Sequence, residues 1–450
     1  MTAMNAMNAK STSMLILADD LSGAADCAIA FAAAGRKTVV TLDPNAPDEG
    51  ATVIAADTDT RRLSPADAAA RVADACHVLR APGRHLYKKI DSTLRGNWTA
   101  EVAALARLAG PAIVAPAFPA TGRAVREGVV FVNGVPLEET ETWQLEHAGC
   151  DARLGAMLEA AGLKTAHISL ATLRDAPQSL AARIAAAAAE GIGALIVDAE
   201  TSDDLAALAR ITASLDTPFF WVGSGGLARE LAALPDLFDA PAAITARPAS
   251  ADVAHGPVLA LVGSLSAVSE RQCAMLRSEA GIAELIVPPA VLRDGARHSA
   301  WAAWGDDIGQ RLRGGHDLIV RIGRDDAFDP AEGAHLSNAL AALVAPHFDA
   351  LGGLIATGGE TARAMLAAAN VGSLELVREI EAGVALGRAT TTTNTTNTTS
   401  AANGAAIVTK AGAFGSEHAL LGAYQHLRGA HGVAETPAAA LKNDARETSI

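Results

Sequence analysis

Several short clusters in this sequence carry groups able to bind an anion or handle a proton. Asp19-Asp20-Leu21-Ser22-Gly23 sets two carboxylates where a strand meets a helix, the usual place for ligand groups in open α/β sheets. Strand alternation sends the two side chains different ways, so one can face a crevice while the other caps a helix. The plain alternative is a turn with an N-cap. Lys88-Lys89-Ile90-Asp91-Ser92-Thr93-Leu94-Arg95-Gly96-Asn97 packs cations, an acid and hydroxyls together. Asp91 or Ser92 is expected to cap a following helix. Its free N–H groups, with Lys89 and Arg95, suit a carboxylate or phosphate better than a solvated basic turn requires. In Asp57-Thr58-Asp59-Thr60-Arg61-Arg62, Arg61 can grip a carboxylate bidentately, or form an ordinary surface pair. Pro116-Ala117-Phe118-Pro119-Ala120-Thr121-Gly122-Arg123 is a stiff loop that either aims Arg123 or merely connects.

The second half of the chain carries glycine turns instead. Gly263-Ser264-Leu265-Ser266, Thr357-Gly358-Gly359-Glu360-Thr361 and Lys410-Ala411-Gly412-Ala413-Phe414-Gly415 each follow an expected strand. One such turn is an ordinary βα connection. Three on one edge, one of them with a lysine, are suited to cradle a nucleotide's phosphates, because glycine lets backbone N–H groups approach. Gly223-Ser224-Gly225-Gly226 is either a fourth wall or a plain turn. No G-x-x-x-x-G-K-[ST] occurs, nor G-x-G-x-x-G after the first strand, nor H-E-x-x-H. Those absences argue against a Walker-type NTPase, a Rossmann dinucleotide site and a zincin.

The elements that must hold these clusters follow a strand–turn–helix rhythm. Met14–Ala18, Thr38–Leu42, Thr52–Ala56, Tyr87–Ile90, Ile113–Ala115, Ala194–Val197 and Phe219–Val222 are expected strands, with a helix from about Ala24 to Ala34. The rhythm restarts at Val258–Val262 and continues through Leu285–Val287, Leu318–Ile322, Leu354–Ala356 and Ala406–Val408. The expected fold is α/β in two domains, each a largely parallel sheet flanked by helices, with the active site in the cleft between them. A tail (1–13) precedes the first domain (14–236). An Ala/Pro-rich linker (237–257) leads to the second (258–430), which contains a flexible Thr/Asn-rich loop (389–402), and a tail (431–450) ends the chain.

The 450 residues are half hydrophobic and 19% charged, with a net charge of −14, which excludes global disorder and disfavours nucleic acid and anionic membranes as partners. An anionic substrate must therefore meet a local cluster of cations. Four cysteines without a C-x-x-C pair, and no signal or membrane segment, point to the reducing cytoplasm.

The motifs A-D-D-L-S-G-A-A-D, K-K-I-D-S-T-L-R-G-N, A-P-A-F-P-A-T-G-R, V-G-S-L-S, T-G-G-E-T-A and V-T-K-A-G-A-F-G occur in an order that resembles the four-carbon acid sugar kinases. That family includes D-threonate, D-erythronate and 3-oxo-tetronate 4-kinases, and the resemblance spans about Leu15 to Leu427. It implies a substrate domain followed by an ATP-binding domain, with phosphoryl transfer to the terminal hydroxyl of a four-carbon sugar acid. D-threonate or D-erythronate is the expected substrate. A 3-oxo acid, or a non-catalytic sugar-acid and nucleotide sensor, is the alternative. The implied acid contacts are Asp19, Asp20, Arg61, Lys89, Ile90, Asp91, Ser92, Arg95 and Arg123. The implied ATP contacts are Ser264, Gly358, Gly359, Glu360, Thr361, Gly404, Lys410, Gly412 and Gly415. Asp19 or Asp91 would accept the proton and Lys410 would stabilise the transferring phosphate. Mg²⁺ would be held mainly by ATP and water, with no ligand residue assigned. The oligomeric state is open, a homodimer being one possibility. The Thr-rich run beside Gly404 departs from the family pattern.

Overall fold

A computed structural model describes residues 13–45, 50–141, 143–144, 150–238, 253–327, 329, 332–390, 404–412 and 415–429. The tail before Ser13, positions 239–252 of the expected linker, the Thr/Asn-rich run from 391, Ala413-Phe414 and the tail from 431 lie outside them.

Among the described residues the first half supplies β1 (Ser13–Ala18), β2 (Thr38–Thr41), β3 (Val53–Asp57), β4 (Arg84–Lys89), β5 (Ala112–Ala115), β6 (Arg123–Arg126), β7 (Val129–Val132), β8 (Val135–Pro136), β9 (Thr165–Ile168), β10 (Ala194–Val197) and β11 (Phe220–Gly223). The second supplies β12 (Val258–Val262), β13 (Ala283–Val287), β14 (Leu318–Ile322), β15 (Gly353–Thr357), β16 (Ser373–Glu381), β17 (Val384–Thr390) and β18 (Ala406–Lys410). The run Met14–Ala18 is apolar at every position because helices cover both faces of the parallel sheet, so all five residues are buried. Helix α1 (Leu21–Ala33) starts three residues earlier than its small-residue pattern suggests, since Asp20 caps it through the Gly23 N–H.

Each half is a largely parallel sheet flanked by helices. The first runs β2-β3-β1-β4-β11-β5-β10-β9 and the second β13-β14-β12-β15-β18. The hairpin β16–β17, which the sequence reading left out, joins them edge to edge. β16 pairs antiparallel with β2, and β17 pairs antiparallel with both β16 and β18. These three reversals turn the second parallel set end for end. Neighbouring strands rotate by roughly 20–25°, and β16 bends further at register shifts between Leu376/Arg378 and Glu379/Glu381. The carboxyl ends of the two parallel sets are thereby brought together. One apolar cluster runs through the joint, from Met14 and Leu15 to Leu354 and Ile407.

Several boundaries move. Ser13, assigned to the tail, begins β1, and Ala389 and Thr390, assigned to the flexible loop, end β17. Leu237 and Phe238, assigned to the linker, are buried in the core. Asp91 and Ser92 cap no helix: the chain turns through 91–96, and the next helix, Trp98–Ala109, starts after Asn97.

Candidate active site

In an open parallel sheet the crevice opens where the chain reverses its direction of winding, outside the strands' carboxyl ends. The first half steps from β1 out to β2, returns to β3 beside β1, and then crosses to β4 on the other side of β1. The loops after β1, β3 and β4 therefore flank one crevice, and they carry Asp19, Arg61 and Lys89. Both oxygens of Asp19 accept from Arg61, from Nε at 2.8 Å and Nη2 at 3.0 Å, while Arg61 Nη1 donates to Asp20 at 3.0 Å. Burial pushes the Asp19 carboxyl up, but Arg61, Lys88 and Lys89 together hold it below its ordinary value. It is ionised at neutral pH.

Lys89 is buried in the same crevice, with the bare Cα of Gly23 making room for it; a Cβ there would lie 2.8 Å from its ammonium. Burial works against this charge, yet Cys27, Asp20, Asp19 and Asp91 raise its pKa, so it stays cationic. Asp91 accepts from the Thr93 N–H at 2.9 Å, from the Thr93 hydroxyl at 3.0 Å and from Arg95. Arg95, Arg61 and Lys89 outweigh burial and hold Asp91 far below the usual carboxylate range. Arg123 joins this group: Asp91 and Arg95 are its charged neighbours, and its Nε is buried without a partner. Ser92 is buried beside Asp91. Ile90 does not serve as expected: its side chain is in the core and its N–H is bonded to the Gly223 carbonyl at 2.8 Å.

The second half reverses its winding between β12 and β15. There Ser264, Gly358 and Gly412 come together. A Cβ on Gly412 would lie 2.6 Å from Ser264 Oγ and 3.9 Å from the Gly358 Cα. Gly358 has φ +95°, and the helix Gly359–Ala368 that follows has no side-chain cap, so its first N–H groups are left for a ligand. An uncapped helix terminus beside two bare glycine backbones fits a phosphate chain.

Five expected nucleotide contacts have other partners or surroundings. Lys410 is buried and donates to its own loop's carbonyls, Ala411 at 2.9 Å and Gly412 at 3.0 Å. Burial pushes it down to about 8, so it shapes the loop from beneath. Glu360 turns its carboxylate to Arg62, and the buried Thr361 hydroxyl lies 3.0 Å from that of Ser337. Gly404 precedes β18 at the strand's opposite end, six residues from Lys410, which at about 3.3 Å per residue is roughly 20 Å from the cradle. Gly415 (φ +87°) turns the chain against Glu381. Gly223-Ser224-Gly225-Gly226 is the plain turn, Ser224 capping the next helix through the Gly226 N–H. Among the described residues no group of three or more His, Cys, Asp and Glu gathers to hold a metal. Ser264 Oγ and the backbones of Gly358 and Gly412 line the cradle.

The two crevices are adjacent. A Cβ on Gly359 would lie 3.1 Å from both Asp20 Oδ2 and Ser22 Oγ. Arg363, which the sequence reading missed, donates to Asp57 across the same gap. Lys88 and Lys89 are neighbours in the sequence but not in the site. Strand alternation sends Lys88 to the opposite face, where it pairs with Glu101 at 2.9 Å. That alternation could have been read from the sequence.

The model of a sugar-binding N-terminal domain matches residues 14–231, and that of a nucleotide-binding C-terminal domain matches 259–420. The chain is 55% identical to the D-threonate kinase of Cupriavidus necator, covering 92% of this chain and 97% of that one. It is 37% identical to the D-threonate kinase of Bordetella bronchiseptica, again over 92% and 97%. It is 35% identical to the 3-oxo-tetronate kinase of Methylobacterium radiotolerans, over 82% and 90%. A solved Salmonella typhimurium LT2 protein, described as a tRNA synthase, shares the fold with a TM-score of 0.75 at 22% identity, over 91% and 98% of the two chains. No helix among the described residues is long and apolar enough to cross a membrane.

Proposed function

The chain belongs to the four-carbon acid sugar kinase family, and from that premise we propose that it transfers the γ-phosphoryl group of ATP to the 4-hydroxyl of D-threonate. It is a phosphotransferase with an alcohol group as acceptor. The observation that carries the finer reading is the abutment of Gly359 on Asp20 and Ser22, because it sets an anion-binding crevice against a phosphate cradle with no intervening wall.

In this reading Arg61 and Lys89 take the acid's carboxylate and neighbouring hydroxyl, with Arg95 and Arg123 adding positive charge at the far side. A carboxylate arriving at Arg61 competes with Asp19 and releases one of its oxygens. That oxygen then accepts the hydrogen bond of the attacking hydroxyl and takes its proton. The low pKa of Asp19 suits orientation more than strong base catalysis, and the loose transition state of phosphoryl transfer asks for little more. The free N–H groups at Gly359, with the backbones of Gly358 and Gly412, hold the phosphates. Mg²⁺ bound with the nucleotide would shield the charge on its β- and γ-phosphates. Residues 14–236 bind the acid and 258–430 the nucleotide, and contact between the halves excludes water from the transfer.

A coupled ADP-release assay with D-threonate, D-erythronate and 3-oxo-tetronates tests this. D-threonate should give the highest kcat/KM, and Asp19→Asn should lower kcat by about 10²-fold or more. ADP release that no four-carbon acid stimulates would remove the assignment; preference for a different member of the panel would reassign the substrate.

A further inference from the structure

Besides Arg61, the Asp57–Arg62 loop carries three charged residues, Asp57, Asp59 and Arg62, that the kinase reading leaves unused. They turn toward the helix Gly359–Ala368. Asp57, at the end of β3, has a carboxylate with no exposure, and it accepts from Arg363 Nη1 at 2.5 Å. Asp59 is held at φ +50° by its N–H bond to Asp57 Oδ1 at 2.9 Å, and its carboxylate meets Arg363 Nε at 3.0 Å. Arg62 pairs with Glu360. Glu360 and Arg363 are three residues apart in the helix and so share a face. The loop and the helix therefore interlock by charge of alternating sign.

The interlock joins the two ligand sites. The helix begins at the Gly358-Gly359 turn of the phosphate cradle, and the loop carries Arg61 of the acid crevice. Asp57 cannot part from Arg363 without leaving a fully buried carboxyl group short of its partner, so the pair favours one relative placement of turn and loop. Either ligand that needs this placement stabilises it for the other, and such coupling is reciprocal.

We propose that Arg363 is a positioning residue: by clasping Asp57 and Asp59 it fixes the nucleotide-side glycine turn against the acid-side Arg61 loop, so that each ligand binds more tightly when the other is present. The inference rests on the kinase reading.

Calorimetric titration of a non-hydrolysable ATP analogue with Mg²⁺, with and without saturating D-threonate, tests it. In the parent protein the acid should raise analogue affinity about tenfold. In Arg363→Gln each ligand alone should bind within about threefold of the parent, while the mutual enhancement falls below about twofold. Arg363→Lys keeps the charge but cannot span both carboxylates, and should lie between. Asp59→Asn, at a side chain 55% exposed, removes one arm with the fold undisturbed and should reduce the enhancement in part; it decides the matter should Arg363→Gln fail to fold. Parent-like enhancement in the variants, or none in the parent, overturns the proposal. A parent protein that binds neither ligand overturns the kinase reading instead.

Discussion

Lys88→Met removes one half of an ion pair that lies beneath the acid crevice. The side chains of Lys88 and Glu101 are 0% and 1% exposed, and Nζ and Oε2 are 2.9 Å apart. Glu101 also accepts the hydroxyl of Thr60, the residue before Arg61, so the pair underpins the loop that presents the guanidinium. Breaking a buried pair costs about 3–5 kcal/mol, because the surviving charge is left without compensation. Methionine is unbranched and adaptable, so little cavity is added to that loss. At about 1.4 kcal/mol per tenfold, the folded-to-unfolded ratio should drop by about 10²–10⁴. Adding Glu101→Gln removes the stranded charge while keeping a carbonyl oxygen for Thr60, so the double variant should regain more than half of the loss. Urea unfolding of the three proteins, followed by circular dichroism and tryptophan fluorescence, measures this. A Lys88→Met protein within about 1 kcal/mol of the parent would refute the reasoning, since ordinary surface changes do no more. A double variant weaker than the single one would do so equally.

Three further outcomes are expected. Burial, ahead of the pull of Arg363, pushes Asp57 up to about 7 from an unfolded value of 3.8, with Asp20 adding to the rise and the Asp59 N–H opposing it. Stability tied to this carboxyl is then full below its unfolded value and lost as pH rises through about 7, so between about pH 5 and pH 8 the parent's melting temperature should fall relative to that of Asp57→Asn; parallel curves would count against it. Gly412→Ala places a Cβ 2.6 Å from Ser264 Oγ, and the forced shift should cost about 1–3 kcal/mol of local fit and raise KM for ATP while KM for the acid stays near the parent's. Lys89→Met removes the buried cation of the acid crevice; losing a charged hydrogen bond of about 1.5–3 kcal/mol should raise KM for the acid about 10–100-fold, with KM for ATP unchanged in the same steady-state assay.

Much of this arrangement was already legible in the chain. The apolar runs that end before Asp19, Gly263 and Gly358 are buried parallel strands, and ligands enter an open parallel sheet where such strands end, so residue type and position together pointed to both crevices. Asp19, Arg61, Lys89 and Asp91 were singled out by type and position, as were Ser264, Gly358 and Gly412, and the fold gathers them at two adjoining crevices. What local pattern could not supply was the destination of each side chain. Lys410 and Glu360 carry charges suited to a nucleotide, yet the first bends onto its own carbonyls and the second crosses to Arg62. Ile90 belongs to the core despite its place in the anion-binding motif, and Gly404 sits at the wrong end of its strand. Arg363 gave no signal, because its partners Asp57 and Asp59 lie some three hundred positions away in the chain. Above all, the hairpin β16–β17 decides that the two sheets meet carboxyl end to carboxyl end, through pairing with β2 and β18. Strand periodicity reports which face of a strand is buried; it says nothing of which distant edge the strand will join, and that choice is made by twist, register and the packing of the whole sheet.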